Sequence, residues 1–249
     1  SRRQRQMCIR DRAGMADYRL YAGKPVVIKP KSTNFGLGIT ILKHNYDETD
    51  FKAALQIAFE HDNTVLIEKF IPGREFRIFI INDEVVGILH RVPANVTGDG
   101  VLNIGQLIDM KNEDPLRGKG YRTPLEKIRK GREEEMFLKQ QGMDFNTVPK
   151  EREVVYLREN SNISTGGDSI DFTDDIDDSY KAIAVEAAKA LNVKITGLDM
   201  MIQDIHAPAT PDNYAIIEMN FNPAIHIHCY PFKGKNRHLN HKMIKALGF

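Results

Sequence analysis

The 249-residue sequence contains no tryptophan and only two cysteines, Cys8 and Cys229. Two thiols cannot build a disulfide framework, so a reducing compartment, the cytoplasm, is the expectation. No apolar run approaches the roughly 20 residues that a membrane-spanning helix needs. Charge of one sign is scarce as well, with a formal net charge of +1. That leaves no overall field to attract nucleic acid or an acidic membrane. Internal repeats and low-complexity tracts are missing. Two familiar glycine signatures, the G-x-x-x-x-G-K-[ST] phosphate loop and the dinucleotide fingerprint, are absent. What is present is an ordinary globular composition, 41% hydrophobic. It is long enough for one large domain or two small ones with a sizeable core.

Residues 1–13 stand apart. Ser1 to Arg12 holds five arginines and a single acid, Asp11. The segment has neither apolar periodicity nor the apolar stretch of a secretory signal, and it reads as a disordered or artefactual tail. Beyond it the pattern is α+β. Val26-Val27-Ile28, bounded by Pro25 and Pro30, reads as a strand buried on both faces, with 39–42 as its hairpin partner. Asp47 can cap a helix reaching about His61, with Phe51, Ala54, Leu55 and Ala58 on one face. Strands are expected at 65–70, 76–81 and 85–89, the last two forming a hairpin about Asn82-Asp83. Helices are expected at 103–112 and 124–141, then a strand at 153–158 and a polar loop at 160–168. The clearest helix is 178–192, with Tyr180, Ile183, Ala184, Ala187 and Leu191 in its stripe. Strands at 196–202 and 214–219 and a helix at 238–247 complete a mostly antiparallel sheet covered by helices.

Several residues carry chemistry that a plain core does not need. Lys29 ends an apolar strand, where an unpaired ammonium is expensive, so it should reach a polar cleft or an anion. The loop that follows offers Ser32, Asn34, Gly36 and Gly38. Its glycines permit the backbone turns that aim N–H groups at phosphate oxygens; an ordinary hairpin is the competing reading. Glu218 and Asn220 are two apart on a strand and share a face, and Asp199 is likewise flanked by apolar residues. Carboxylates so placed need a partner or a cation. Oxygen donors of this kind suit Mg2+, with structural salt bridges as the alternative.

Backbone groups at Lys69 and Ile71, beside Glu68, suit an adenine edge, and Glu75 suits ribose hydroxyls. Arg77 and Arg91 suit an oxyanion, phosphate or carboxylate, which a planar guanidinium binds through two bonds; surface salt-bridge partners are the competing reading. The charged run 131–135 reads as a solvated helix face, and Cys229 as a small buried residue. His226 and His228 alternate like zinc ligands, but no further Cys/His set completes a tetrahedron. They read as substrate-pocket lining.

In order, these pieces resemble an ATP-grasp ligase. The similarity is greatest to the glutathione synthetase module at the C-terminus of bacterial bifunctional glutamate–cysteine ligase/glutathione synthetase. The matching text includes Val26-Val27-Ile28-Lys29-Pro30, Arg91-Val92-Pro93-Ala94-Asn95-Val96-Thr97-Gly98-Asp99-Gly100, Val154-Val155-Tyr156-Leu157-Arg158 and Ser164-Thr165-Gly166-Gly167. Cyanophycin synthetase is similar through the same region.

The resemblance implies two α+β subdomains, 14–72 and 73–249, clasping ATP, the second with a helical insert at about 98–150. It implies that Lys29, Ser32, Asn34, Gly36 and Gly38 bind phosphates. Glu68, Lys69 and Ile71 would hold adenine, Glu75 the ribose, and Gly166 and Gly167 would lie near the reacting centre. Asp199, Glu218 and Asn220 would hold Mg2+, or Mn2+ in its place. Lys29, Arg77 and Arg91 would act on the transferring phosphoryl group. The implied reaction joins γ-glutamylcysteine to glycine through an acyl phosphate. The alternatives are a cyanophycin-type ligase adding aspartate or arginine, and an ATP-binding fragment without catalysis. A homodimer and a missing upstream ligase domain of the same polypeptide are further implications.

Overall fold

The computed structural model describes residues 7–9, 18–32, 38–43, 45–120 and 122–248. The chain divides into two compact units, Ser1–Pro72 and Gly73–Phe249.

In the first unit β1 (Met7–Ile9), β2 (Val26–Pro30), β3 (Thr40–Leu42), α1 (Glu48–His61) and β4 (Val65–Lys69) follow one another. The strands form one sheet in the order β1-β4-β2-β3, and every pairing is antiparallel. The expected tail is thereby corrected at 7–9, whose backbone completes the edge that β4 would otherwise leave unpaired. A second correction concerns β2. Val26, Ile28 and Pro30 are buried, while Val27 and Lys29 keep part of their surface. The strand is covered on one face only, by α1. Phe51, Ala54, Leu55 and Ala58 of that helix pack on Val26, Ile28, Val65 and Ile67.

Asp47 caps α1 as its sequence position predicts. Its Oδ1 accepts from the backbone N–H of Thr49 at 2.7 Å and of Asp50 at 2.9 Å, and Asp50 Oδ2 accepts from Asp47 N–H at 3.1 Å. Asp47→Ala leaves these N–H groups to water and is expected to cost about 1 kcal/mol. A lower urea midpoint at unchanged slope checks this.

The second unit continues with β5 (Arg74–Ile81), β6 (Glu84–Val92), β7 (Asn95–Thr97), α2 (Ile104–Lys111), β8 (Arg117–Gly118), β9 (Leu125–Glu126), α3 (Arg132–Gln140), β10 (Val154–Tyr156), β11 (Asp168–Asp171), α4 (Asp178–Ala190), β12 (Ile195–Ile202), β13 (Tyr214–Asn220), α5 (His226–Cys229) and α6 (Leu239–Ala246). Its main sheet is antiparallel, ordered β11-β6-β5-β12-β13.

The central strand β5 is apolar on both sides, which explains its unbroken hydrophobic text. Phe76, Ile78 and Ile80 face one way, toward Leu198, Met200, Ile202 and Tyr180 and Ala184 of α4. Phe79 and Ile81 cluster on the other side with Cys229 and Leu239. Arg77 alternates with the first set and so belongs to this second face. Residues 94–157 have a core of their own, built on Val96, Ile104, Leu107, Ile108, Leu138 and Val155.

Three expectations shift here. The helix expected from 124 begins only at Arg132. Leu125–Glu126 instead pairs in parallel with Arg117–Gly118, and Gly131 opens the helix, its N–H donating to Glu134 Oε2 at 3.0 Å. Residues 168–171, taken partly as loop, form edge strand β11. Leu191, assigned to the α4 stripe, is 61% exposed. The helix ends just before it, and Val193 takes the apolar position. Among the described residues no helix is long and apolar enough to cross a membrane.

Candidate active site

The sheet of the second unit assembles a row of charge across four strands. Glu218 on β13 stands opposite Asp199 on β12, and Asp199 opposite Arg77 on β5. Arg77 pairs in register with Leu89 on β6, and Arg91 lies two residues further along on the same face. A register shift after Asp199 leaves Ile217 without a partner, since Asp199 matches Glu218 and Met200 matches Ile216. Such bulges re-aim neighbouring side chains, often beside functional sites.

Asp199 is 2% exposed and Arg77 8%. Arg77 grips the carboxylate with a fork, through Nε to Oδ1 and through Nη2 to Oδ2, the latter at 2.8 Å. Arg91 Nη2 adds a bond to Oδ2 at 2.9 Å. Arg91 also pairs with Glu75, and Ser161 Oγ donates to Glu75 Oε2 at 2.6 Å. Burial alone pushes the Asp199 carboxyl up, but the two guanidiniums outweigh it and hold it below the usual range. Gly197 makes room for this: a Cβ there would lie 3.0 Å from Arg77 Cδ and 2.7 Å from Pro223 Cβ.

Glu218 is exposed and Asn220 partly so. Asn220 Nδ2 donates to Glu218 Oε1 at 3.0 Å, and Thr196 Oγ1 fixes the Asn220 backbone carbonyl at 2.9 Å. Two carboxylates and an amide oxygen on one sheet face fit a hard divalent cation in donor chemistry. Asp199 shares its oxygens with three guanidinium N–H groups, so the accessible donors are Glu218 and Asn220. Among the described residues no group of three or more His, Cys, Asp or Glu side chains is placed to hold a metal by itself; the amide is part of the set.

In the first unit Lys29 Nζ stands 2.7 Å from Glu68 Oε2. Two residues from separate sequence motifs are thus adjacent, and Lys29, on the partly exposed face of β2, pairs with a carboxylate of its own unit. Lys69 is the exposed end of β4, and Ile71 is partly exposed. Ser32 N–H donates to Asp62 Oδ2 at 2.8 Å. Gly38 has φ +74° and sits against Pro30 and His61. Asn34 and Gly36 lie outside the described residues.

Two expectations change. The Glu75 carboxylate is engaged by Arg91 and Ser161, partners the sequence reading had not foreseen for it. His228 has no exposed surface, packed edge-on to Phe79 at 5.4 Å between ring centres, so it lines no pocket in this structure. Cys229 is buried as expected.

Sequence reading also missed a buried set. Asp168 accepts from Lys111 Nζ at 2.7 Å and Asn95 Nδ2 at 3.0 Å, and it pairs with Arg117. Asp168 directly follows Gly166-Gly167, which is the one local signal that could have marked it. Nothing near Arg117 in the sequence points to it.

A family profile described as "D-ala D-ala ligase C-terminus" matches residues 5–106. The chain is 63% identical over 235 residues to the glutathione biosynthesis bifunctional protein of Desulfotalea psychrophila, covering 94% of this chain and 30% of that protein. The Clostridium perfringens protein of the same name is 57% identical, over 93% of this chain and 30% of its own length. The crystal structure of a bifunctional glutathione synthetase from Pasteurella multocida superposes with a TM-score of 0.72 at 46% identity, covering 98% of this chain and 34% of that one. The chain thus spans less than a third of the length of these two curated relatives. It has the ATP-grasp ligase fold and is similar, over nearly all of its own length, to part of the bacterial bifunctional glutathione biosynthesis proteins.

Proposed function

We propose that the chain is an ATP-dependent carboxylate–amine ligase that joins γ-glutamylcysteine to glycine. The observation that carries this reading is the convergence of Arg77 and Arg91 on Asp199 beside Glu218 and Asn220, in a chain this similar to glutathione-synthesising proteins. A carboxylate attacks the γ-phosphorus of ATP and ADP leaves; the amine then attacks the carbonyl carbon of the acyl phosphate so formed, phosphate leaves with the C–O bond broken, and the amide nitrogen gives up a proton to the phosphate or solvent. Lys29, Ser32, Asn34, Gly36 and Gly38 are the proposed phosphate contacts; Glu68, Lys69 and Ile71 hold the base. Arg77 and Arg91 present N–H groups to the equatorial oxygens of the transferring group, and the Gly166-Gly167 turn, whose own N–H groups are given to Ile163 O and Asn162 O, shapes the neighbouring wall. Glu75 serves chiefly by orienting Arg91. A divalent cation, Mg2+ or Mn2+, would be held by the accessible oxygens of Glu218 and Asn220, with Asp199 beside them engaged by its two arginines, and would supply neutralisation of phosphate charge. No nucleophilic side chain is needed; positioning and charge do the chemistry.

The test is ADP release with γ-glutamylcysteine plus glycine, set against aspartate- and arginine-primed peptides. Mg-ATP is expected to raise the melting temperature, and Lys29→Ala and Glu218→Ala to lose most of that rise. A full rise in both variants removes the site assignment. A rise without substrate-dependent ADP release leaves a nucleotide-binding module and removes the ligase reading. Release only with the aspartate or arginine substrates moves the chain to the cyanophycin type.

A further inference from the structure

The proposed reaction gives no work to the buried cluster at Asp168. Arg117 is its centre and is 4% exposed. It sits on β8, and its guanidinium reaches three places: Glu126 O at 2.9 Å, Gly166 O at 3.0 Å, and the Asp168 carboxylate. Lys111 at the end of α2 takes the other side of the same carboxylate at 2.7 Å. The ring of Phe232 covers both cations, with Lys111 Nζ 5.2 Å and Arg117 Cζ 5.4 Å from its centre.

The turn held this way is tight. Gly166 has φ +95°, and a Cβ there would lie 2.8 Å from Ile128 Cα; a Cβ at Gly167 would lie 2.8 Å from Val92 O. Ile128 is itself pinned, because Asn112 binds its N–H and its carbonyl, each at 2.8 Å. Asp168 and Ser169 pair in register with Val92 and Arg91. A displacement of the turn is therefore passed to the strand that carries Arg91.

We propose that Arg117 is a positioning residue for the ligase reaction: its fork fixes the Gly166-Gly167 turn from the helical insert and, through β11, sets the placement of Arg91. This rests on the ligase reading above. A lysine at the site keeps the charge facing Asp168 but lacks the planar fork that reaches two carbonyls and a carboxylate together.

The decisive variant is Arg117→Lys, with Asp168→Asn as the isosteric second variant should the first not fold. Hydrogen exchange at the amides of residues 166–169 is expected to quicken at least about tenfold relative to the rest of the second unit. The kcat for substrate-dependent ADP release is expected to fall about 10- to 100-fold, with the KM for ATP within about twofold. Parent-like exchange in the folded variant overturns the proposal. So does a kcat that falls only with the folded fraction, which is what a merely structural role produces. If the parent chain releases no ADP, the ligase reading fails separately. The exchange measurement, which needs no activity, then decides whether Arg117 holds the turn.

Discussion

Asp199→Ala is expected to destabilise the second unit by about 3–5 kcal/mol, the cost of removing one partner from a buried ion pair. Arg77 then loses both bonds of its fork, and Arg91 keeps Glu75 among the described residues. At 8% exposure, Arg77 cannot recover full hydration without opening the sheet. Against a typical stability of about 5–15 kcal/mol, such a loss leaves the unit near its folding limit at moderate temperature. The pair itself is a different quantity from the cost of breaking it. Replacing both partners, as Arg77→Met with Asp199→Leu, is expected to recover most of the loss, since apolar side chains fill the site without stranding a charge. Urea unfolding of Arg77→Met, Asp199→Leu and the double variant that combines them gives the coupling energy directly. Were Asp199 only a cation ligand, the single change would leave stability without nucleotide or metal unmoved. A shift below about 1 kcal/mol in Asp199→Ala contradicts the view that the arginines depend on it.

That result bears on what a sequence can disclose. The strands around the row were legible because β5 and β12 are short apolar runs with turn residues between them, and α1 because its buried Phe51, Ala54, Leu55 and Ala58 recur at helical spacing. The site residues stood out for the same reason, as charges inside apolar text. What the text did not carry was pairing. That Arg77 and Arg91 would both close on Asp199 depends on strand order β6-β5-β12 and on the space left by Gly197. Those contacts join residues more than 100 positions apart. The Arg117 cluster is an extreme case, since it draws on α2, β8, β11 and a residue after α5. The helix wrongly begun at 124 failed for a local reason: the charged residues after Pro124 suit a helix, while burial of Leu125 and Ile128 fixes an extended path first.

Acid should weaken the fold through one residue in particular. His228 has no exposed surface, and neither ring nitrogen has a hydrogen-bond partner among the described residues. Phe79 packs on it, and a Cβ at Gly87 would come within 2.8 Å of Nδ1. Burial pushes its pKa down to about 3; Arg77, His226 and Arg91 push the same way, and Asp171 opposes them. Above pH 6.5 the ring is neutral in both folded and unfolded chains, and it contributes no pH dependence. Below 6.5 the unfolded chain takes up a proton that the folded one refuses, so stability falls with pH until about 3, where the folded ring titrates. At pH 5 this amounts to about 2 kcal/mol, from roughly 1.4 kcal/mol per unit over about 1.5 units. His90, held down to about 4 by burial and by Arg74, acts in the same direction. His228→Leu removes both unpartnered nitrogens and is expected to be neutral or stabilising at pH 7.5. Its advantage over the parent should then grow by about 2 kcal/mol on going to pH 5. Urea midpoints at the two pH values measure it, and an equal fall in parent and variant would mean that the folded imidazole takes up its proton as readily as the unfolded one, against a lowered pKa.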